Sequence, residues 1–379
     1  MNILIIAGEE SGDLHGSALM KKMKNINSNL VFYGIGGDRM IAEGLKHSFH
    51  IKDMSYLGFV EVVKHLPHIL KVRKTIINLV RRHNIRTAVL IDYPGFNLNL
   101  ARKLNKLGTK IFYYISPQIW AWGAGRIEKI KRLIKKMIVV FPFEKDFYLK
   151  HGIEAELVRH PLIDRLNGYN YMNREELYNI CGLEKDKEIL LIMPGSRVHE
   201  IEKILPVSLA AAKTLAQRND MQIVIACSQN IDEKYFENLI PGEVKVVKNY
   251  SYDLMRHSAF GIIKSGTSTL ECALHGLPFV AVYRASKITY LIGEKLVNVN
   301  WISMPNIIAG EKVVEEFVQD DLTAGNLEKY ISSFWESKDD QNVMKEKFKK
   351  IKSLLGKEDD SHNAARIITD EMDEIREKV

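Results

Sequence analysis

An alternation constrains this chain most. Short runs dense in Ile, Val and Leu recur along its 379 residues, and amphipathic stretches of helical period separate them. In the first half the runs are Asn2–Ala7, Leu30–Gly34, Thr87–Asp92, Lys110–Ile115 and Met137–Phe141. In the second half they are Glu188–Met193, Met221–Ala226, Val244–Lys248, Gly261–Lys264 and Pro278–Tyr283. Helical period marks segments such as Ile69–Arg82, Phe96–Leu107 and Pro206–Gln217. Runs this apolar suit strands buried on both faces, hence parallel sheets covered by helices. The order is strand–helix–strand, repeated in two sets.

The polar, turn-rich stretch "PLIDRLNGYNYMNREEL" (Pro161–Leu177) separates the two sets. The predicted class is therefore α/β, with two doubly wound Rossmann-like domains facing a cleft and helices at the C-terminus. The expected bounds are 1–165, 166–340 and 341–379. The last segment packs back on the first domain or is exchanged between subunits, and Trp335 and Phe348 anchor the charged helical tail. In such open sheets ligands lie beyond the carboxyl ends of the strands, so the loops after each strand carry the functional reading.

Composition narrows the partners without choosing one. Lys and Arg exceed Asp and Glu by 54 − 47 = +7, a moderate excess that suits phosphate-bearing substrates, anionic membrane surfaces or nucleic acid. Cys181, Cys227 and Cys272 form no CxxC pair, as expected of buried free thiols in a reducing compartment. Met1 leads straight into a strand, so no signal peptide is expected, and no run is long and apolar enough to span a bilayer. The expectation is a cytoplasmic protein whose membrane contact, if it has one, is from the surface.

Five loops carry the chemistry. "AGEESGDLHG" (Ala7–Gly16) turns on glycines, with Ser11 placed to cap a helix and Asp13 to favour its dipole. Neither it nor "GIGGDR" fits GxGxxG, which argues against a dinucleotide site. "VLIDYPGFN" sets Asp92 at a strand end. There it serves either as a partly desolvated general base or as a partner for the amides of its own turn. "YYISPQIWAWGAGR" is a rigid aromatic loop, with Trp120 and Trp122 packing on the sheet or walling an acceptor site. "MPGSRVHEI" joins Gly195, Ser196 and Arg197 to a helix start. By itself that arrangement is more simply a capped helix with a surface arginine, though it also suits a phosphate. "KSGTSTLE" repeats the arrangement with Ser265, Gly266 and Thr267, and Glu271 one turn on suits the paired hydroxyls of a ribose. Two such loops suggest a nucleoside-diphosphate seat. No P-loop lysine motif, Asp-x-Asp pair or zinc spacing is present.

Leu57–Arg82 carries more apolar residues than one buried stripe requires, flanked by Lys64, Lys71, Arg73, Lys74, Arg81 and Arg82. Beyond Pro67 a core helix is the simpler reading. Before it, the segment suits contact with anionic lipid. The expected patch is Val62, Val63, Leu66, Ile69 and Leu70.

Taken in order, "AGEESGDLHG", "IDYPGFN", "YYISPQIWAWGAGR", "FPFEKDFY", "HPLID", "MPGSRVHEI", "SGTSTLECAL", "YRASKITYLIGEKLV" and "MPNIIAGEKVVEEFVQDD" resemble the lipid-A-disaccharide synthase family. The resemblance implies an inverting GT-B glycosyltransferase of lipid A synthesis. Such an enzyme moves 2,3-diacylglucosamine from UDP to the 6-hydroxyl of 2,3-diacylglucosamine 1-phosphate (lipid X). It implies no metal or other cofactor, no nucleic acid partner, a place on the cytoplasmic face of the inner membrane, and room for a homodimer. By motif, Asp92 would be the base, with Glu9 and Arg197 at the reacting centre. Gly195, Ser196, Arg197, Ser265, Gly266, Thr267, Glu271, Asn306 and Gln319 would bind the UDP donor. Ser11, Gly12 and Asp13 would face the acceptor. Arg159, before His160–Pro161, stands where the family usually has glycine. The rival readings are another GT-B enzyme, such as a UDP-sugar epimerase or a soluble-acceptor transferase, and a non-catalytic basic membrane adaptor.

Overall fold

The computed structural model describes residues 1–379 apart from 55–65, 121–123, 287–289, 291–299, 357–362 and 378–379. The elements begin β1 (Asn2–Ala7), α1 (Glu10–Ile26), β2 (Val31–Gly36), α2 (Asp38–Ala42), β3 (Lys46–His50), α3 (Leu66–Arg82), β4 (Thr87–Ile91) and α4 (Pro94–Asn105). Next come β5 (Lys110–Tyr114), α5 (Ile127–Leu133), β6 (Lys136–Val139), α6 (Pro142–Lys150), β7 (Ala155–Leu157), α7 (Pro161–Asn167) and α8 (Arg174–Cys181). They continue with β8 (Glu188–Met193), α9 (Val198–Arg218), β9 (Met221–Cys227), β10 (Lys245–Lys248), α10 (Ser251–His257), β11 (Ser258–Lys264), α11 (Thr267–His275) and β12 (Phe279–Tyr283). The last are α12 (Met304–Ala309), β13 (Glu316–Val318), α13 (Ala324–Glu336), α14 (Lys338–Gly356) and α15 (Ala364–Glu377).

Two compact units result. One comprises Met1–Pro161 with Leu355–Val379, the other Leu162–Leu354. The first holds a seven-stranded sheet in the order β3-β2-β1-β4-β5-β6-β7, the second a six-stranded sheet in the order β10-β9-β8-β11-β12-β13. Every pairing is parallel.

Burial on both faces explains the continuous apolar runs. In the first sheet Leu4, Ile6, Leu90, Tyr113 and Met137 pack against Val72, Ile76 and Val80 of α3 and Leu100 and Leu104 of α4. Their alternates Ile3, Ile5, Val89, Phe112 and Ile138 pack against Leu19, Met20 and Met23 of α1 and Ala365, Ile368 and Met372 of α15. Successive side chains point to opposite faces, so each run feeds two cores. Cys227 and Cys272 are buried and Cys181 half-buried, all as free thiols.

Three strands carry no apolar run in the sequence: β3, β7 and β13. Each lies at a sheet edge, is short and is partly exposed. Two helices differ from expectation. α9 begins at Val198, eight residues before Pro206, which the exposed side of the helix accommodates. In the tail, Phe348 is buried as expected, but Phe334 rather than Trp335 fills the core.

Candidate functional site

Each unit places two loops side by side where its strand order reverses. In the first unit Ala7 pairs with Ile91, so the loops after β1 and β4 are neighbours. In the second Met193 pairs with Ile263, which joins the loops after β8 and β11. Sheets of this kind hold ligands at such switch points.

The first pair of loops is acidic. Asp92 follows β4 with φ 40°, and Tyr93 follows with φ 48°. Two successive non-glycine residues in the left-handed region cost roughly 1–3 kcal/mol each, so something must hold them. The Asp92 N–H donates to the Tyr114 carbonyl at 3.2 Å. The Asp92 carbonyl accepts from Asn97 Nδ2 at 2.7 Å and from the Tyr113 hydroxyl. A second Asn97 bond reaches the Ile91 carbonyl at 3.1 Å. The main chain is fully engaged, and the carboxylate is left half-buried. Burial, then the nearby charge of Glu9, push its pKa up to about 6 against the pull of the Tyr93 amide. Gly8 packs beneath the Tyr93 ring, where a Cβ would come within 2.3 Å. That contact sets the Glu9 loop beside Asp92.

Glu9 and Ser11 are exposed. Glu9, not Ser11, is the N-cap of α1, so the capping role expected of Ser11 is corrected. Gly12 is buried against Ala7 and Ile91. Asp13, expected to face the acceptor, has a structural part as well. It is 3% exposed and accepts the N–H groups of Gly37 at 2.6 Å, Arg39 at 3.1 Å and Met40 at 3.1 Å. It thereby caps α2.

Trp120 is fixed from below. Its Nε1 donates to Glu144 Oε1 at 3.0 Å, and the Ser116 hydroxyl donates to the same oxygen. Burial pushes the Glu144 pKa up to about 7, with the Ser116 and Trp120 bonds opposing. Trp122 lies outside the described residues.

The second pair of loops brings together two helix starts. β8 leads through Pro194–Gly195–Ser196–Arg197 into α9, and β11 leads through Ser265–Gly266 into α11. Gly195 has φ 130° and lies so near Glu200 that a Cβ would meet Oε2 at 2.6 Å. Both helix starts line one cavity of about 560 Å³, together with Gly195, Ser196, Arg197, Gly266, Thr267 and Glu271. Arg197 is 57% exposed. Glu271 accepts from the Tyr252 hydroxyl at 2.9 Å, and the Arg165 guanidinium lies over the Tyr252 ring. Burial raises the Glu271 pKa, while Tyr252 and Arg165 pull it down.

The hydroxyl-rich turn divides its labour. Thr267 and Ser268 line the cavity. The Ser265 hydroxyl donates to the Ile302 carbonyl at 2.6 Å and that of Thr269 to the Gly266 carbonyl at 2.7 Å. Ser265, Asn306 and Gln319, also expected to bind the donor, are each held by hydrogen bonds of their own. Asn306 is fully buried on the backbone of Val313 and Val314 and on Glu316. Gln319 Oε1 accepts the Ala285 N–H at 2.7 Å.

Sequence reasoning missed Glu200, Lys264, Arg165 and Tyr252 on the same cavity. The signal for Glu200 was available, four residues after Ser196 on a helix start. Lys264 was legible only as the last residue of a strand.

Of the expected membrane patch, Val62 and Val63 lie outside the described residues. Leu66 opens α3, and its side chain is likewise undescribed. Ile69 is half-buried against the core, and Leu70 is 43% exposed. Among the described residues no helix is long and apolar enough to cross a membrane, and no three His, Cys, Asp or Glu side chains group to hold a metal.

Known proteins match this chain along most of its length. The family profile described as lipid-A-disaccharide synthetase covers residues 3–369. A lipid-A-disaccharide synthase of Geobacter sulfurreducens is 39% identical over 329 residues, 86% of this chain and 85% of that protein. One from Geobacter metallireducens is 37% identical over 97% of this chain and 96% of its own length. Among solved structures, the S. aureus MnaA–UDP structure superposes with TM-score 0.67 at 12% identity, covering 100% of this chain and 97% of that one. The UDP-GlcNAc 2-epimerase of Neisseria meningitidis, bound to UDP-GlcNAc, gives 0.62 at 11% identity, covering both chains in full. At that identity the likeness shows a shared fold, the two-sheet GT-B architecture.

Proposed function

The chain belongs to the lipid-A-disaccharide synthase family, and from that premise we propose how its residues perform the transfer. The enzyme is a glycosyltransferase of lipid A synthesis. It joins the diacylglucosamine of a UDP-linked donor to lipid X and releases UDP. The match over residues 3–369 carries this reading, and the named relatives disfavour the epimerase alternative.

Asp92 is the general base. Its raised pKa, about 6, leaves it ionised at neutral pH yet basic enough to accept a proton. It takes the proton of the acceptor 6-hydroxyl as that oxygen attacks the anomeric carbon. UDP leaves from the opposite face, and configuration inverts. Glu9 keeps Asp92 basic and, with Glu10, keeps free phosphate away from this loop. In the other unit, the amides that start α9 and α11, with Arg197, stabilise the charge that grows on the departing diphosphate. Such fixed donors supply the largest single contribution in many enzymes. Glu271, steadied by Tyr252, accepts from the ribose hydroxyls.

The acylated substrates reside in a bilayer, so we place the enzyme on the cytoplasmic face of the inner membrane, held from the surface. Exposed Leu70, Lys71 and Lys74 on α3 support that contact. Exchange of α15 between subunits would rebuild its packing on α1 and give a homodimer, which light scattering would detect.

The direct test incubates the purified chain with UDP-2,3-diacylglucosamine and 2,3-diacylglucosamine 1-phosphate and reads the product mass. A disaccharide 1-phosphate with stoichiometric UDP is expected. Recovery of an epimerised UDP-sugar, with the acceptor untouched, would overturn the reading.

A further inference from the structure

Lys264 and Glu200 stand between the two loops of the second unit, and the transfer mechanism above uses neither. The Lys264 ammonium pairs with Glu200 Oε1 at 2.9 Å, with the side chains 20% and 9% exposed. Glu200 Oε2 accepts the Ser196 N–H at 3.0 Å. Arg197 Nη1 lies 3.7 Å from Oε1. The pair spans from loop to loop. A Cβ on Gly195 would meet Glu200 at 2.6 Å, and one on Gly266 would lie 3.8 Å from the Lys264 ammonium.

The partners of Glu200 form a familiar donor set: one loop amide, one lysine and one arginine, all lining the cavity. A diphosphate uses the same kinds of groups. Burial raises the Glu200 pKa, but Lys264, the Ser196 amide and Arg197 more than offset this, so it falls below the usual carboxylate range. The carboxylate is therefore charged at neutral pH. A diphosphate carries more charge and more acceptor oxygens than one carboxylate, and a lysine ammonium can turn from one to the other without a fixed fork geometry.

We propose that Lys264 is a ligand of the donor's diphosphate, and that Glu200 is its resident counter-anion, holding Lys264 and the Ser196 amide until the diphosphate replaces it. This rests on the reading of the cavity as the UDP seat. Glu200 keeps a cation and a loop in place while the site is empty, and it opposes the incoming anion. The alternative is a static strut, in which the Lys264–Glu200 pair persists with ligand bound and shapes the loop alone.

The two accounts differ in sign. Titration calorimetry with UDP and with uridine on the full chain distinguishes them, using the wild type, K264M, K264R and E200Q. Glutamine keeps an acceptor for the Ser196 N–H and removes only the charge. K264M is expected to weaken UDP about 10–100-fold, the effect of losing a charged hydrogen bond, and to leave uridine unchanged. K264R should restore part of the loss, and E200Q should bind UDP several-fold more tightly. Weaker UDP binding by E200Q overturns the proposal. So does a K264M that leaves UDP unchanged or weakens UDP and uridine alike. A wild type that binds no UDP would overturn the donor-site reading itself, whereas UDP binding indifferent to K264M removes only this inference.

Discussion

At the scale of single residues, Asp92 sets function against stability. Its carboxyl holds a proton in the folded chain up to about pH 6, against a reference value of 3.8. The unfolded chain releases that proton earlier. Ionisation thus weighs against the folded state, a penalty absent below about pH 4 and complete above about pH 6. At about 1.4 kcal/mol per pKa unit, and allowing for partial exposure, it amounts to about 1–3 kcal/mol. Asp92→Asn should therefore raise unfolding stability at pH 8 by that amount and at pH 4 by little, as read from urea titrations. An equal change at both pH values would contradict the assignment. The position of Asp92 was legible in the sequence because a carboxylate closing an apolar strand is conspicuous. Its clamp was not, since Asn97, Tyr113 and Tyr114 reach it through their fold positions. The structural bonds of Asp13 were illegible for the same reason, because its partners lie 24 to 27 residues away.

At the scale of elements, the central strands and the apolar edge strand β10 were legible, and the other three edges were not. Strands buried on both faces must be apolar throughout, whereas β3, with sequence Lys-His-Ser-Phe-His, and the three-residue β7 and β13 need not be. Helix α3 shows how a sequence can be read two ways at once. Val72, Ile76 and Val80 recur every fourth residue and face the core, while Leu70, Lys71 and Lys74 face outward. The outward face is the one we propose for anionic lipid, at about 1 kcal/mol per basic residue near the surface. Vesicles containing phosphatidylglycerol should carry the wild type upward in a density gradient. A Leu70→Ser, Lys71→Glu, Lys74→Glu variant should partition at least about tenfold less. Equal flotation of a folded variant would move the membrane contact elsewhere.

At the scale of the whole molecule, one topology is used twice with opposite charge. The first unit gathers Glu9 and Asp92 at its switch point, and the second gathers Arg197, Lys264 and two helix starts at its own. A base belongs with an acceptor hydroxyl, and cations with amides belong with a leaving diphosphate. On the proposed reading the acceptor falls to the first unit and the donor to the second, where Glu200 and Glu271 line the cavity beside the cations. The loops after the strands were legible because the same glycine- and hydroxyl-bearing turn into a helix start occurs twice in the second unit. The pairing of Glu200 with Lys264 was not, because an ion pair between a helix and a strand end leaves no pattern along the chain.

The most direct measurement is the transfer rate at limiting substrate against pH, for wild type and Asp92→Asn. The wild-type kcat/KM should fall as pH drops through about 6. The asparagine variant should be slower by about 10²–10⁴ and lack that limb. A variant with near wild-type rates, or one that keeps the same acidic limb, would contradict Asp92 as the base.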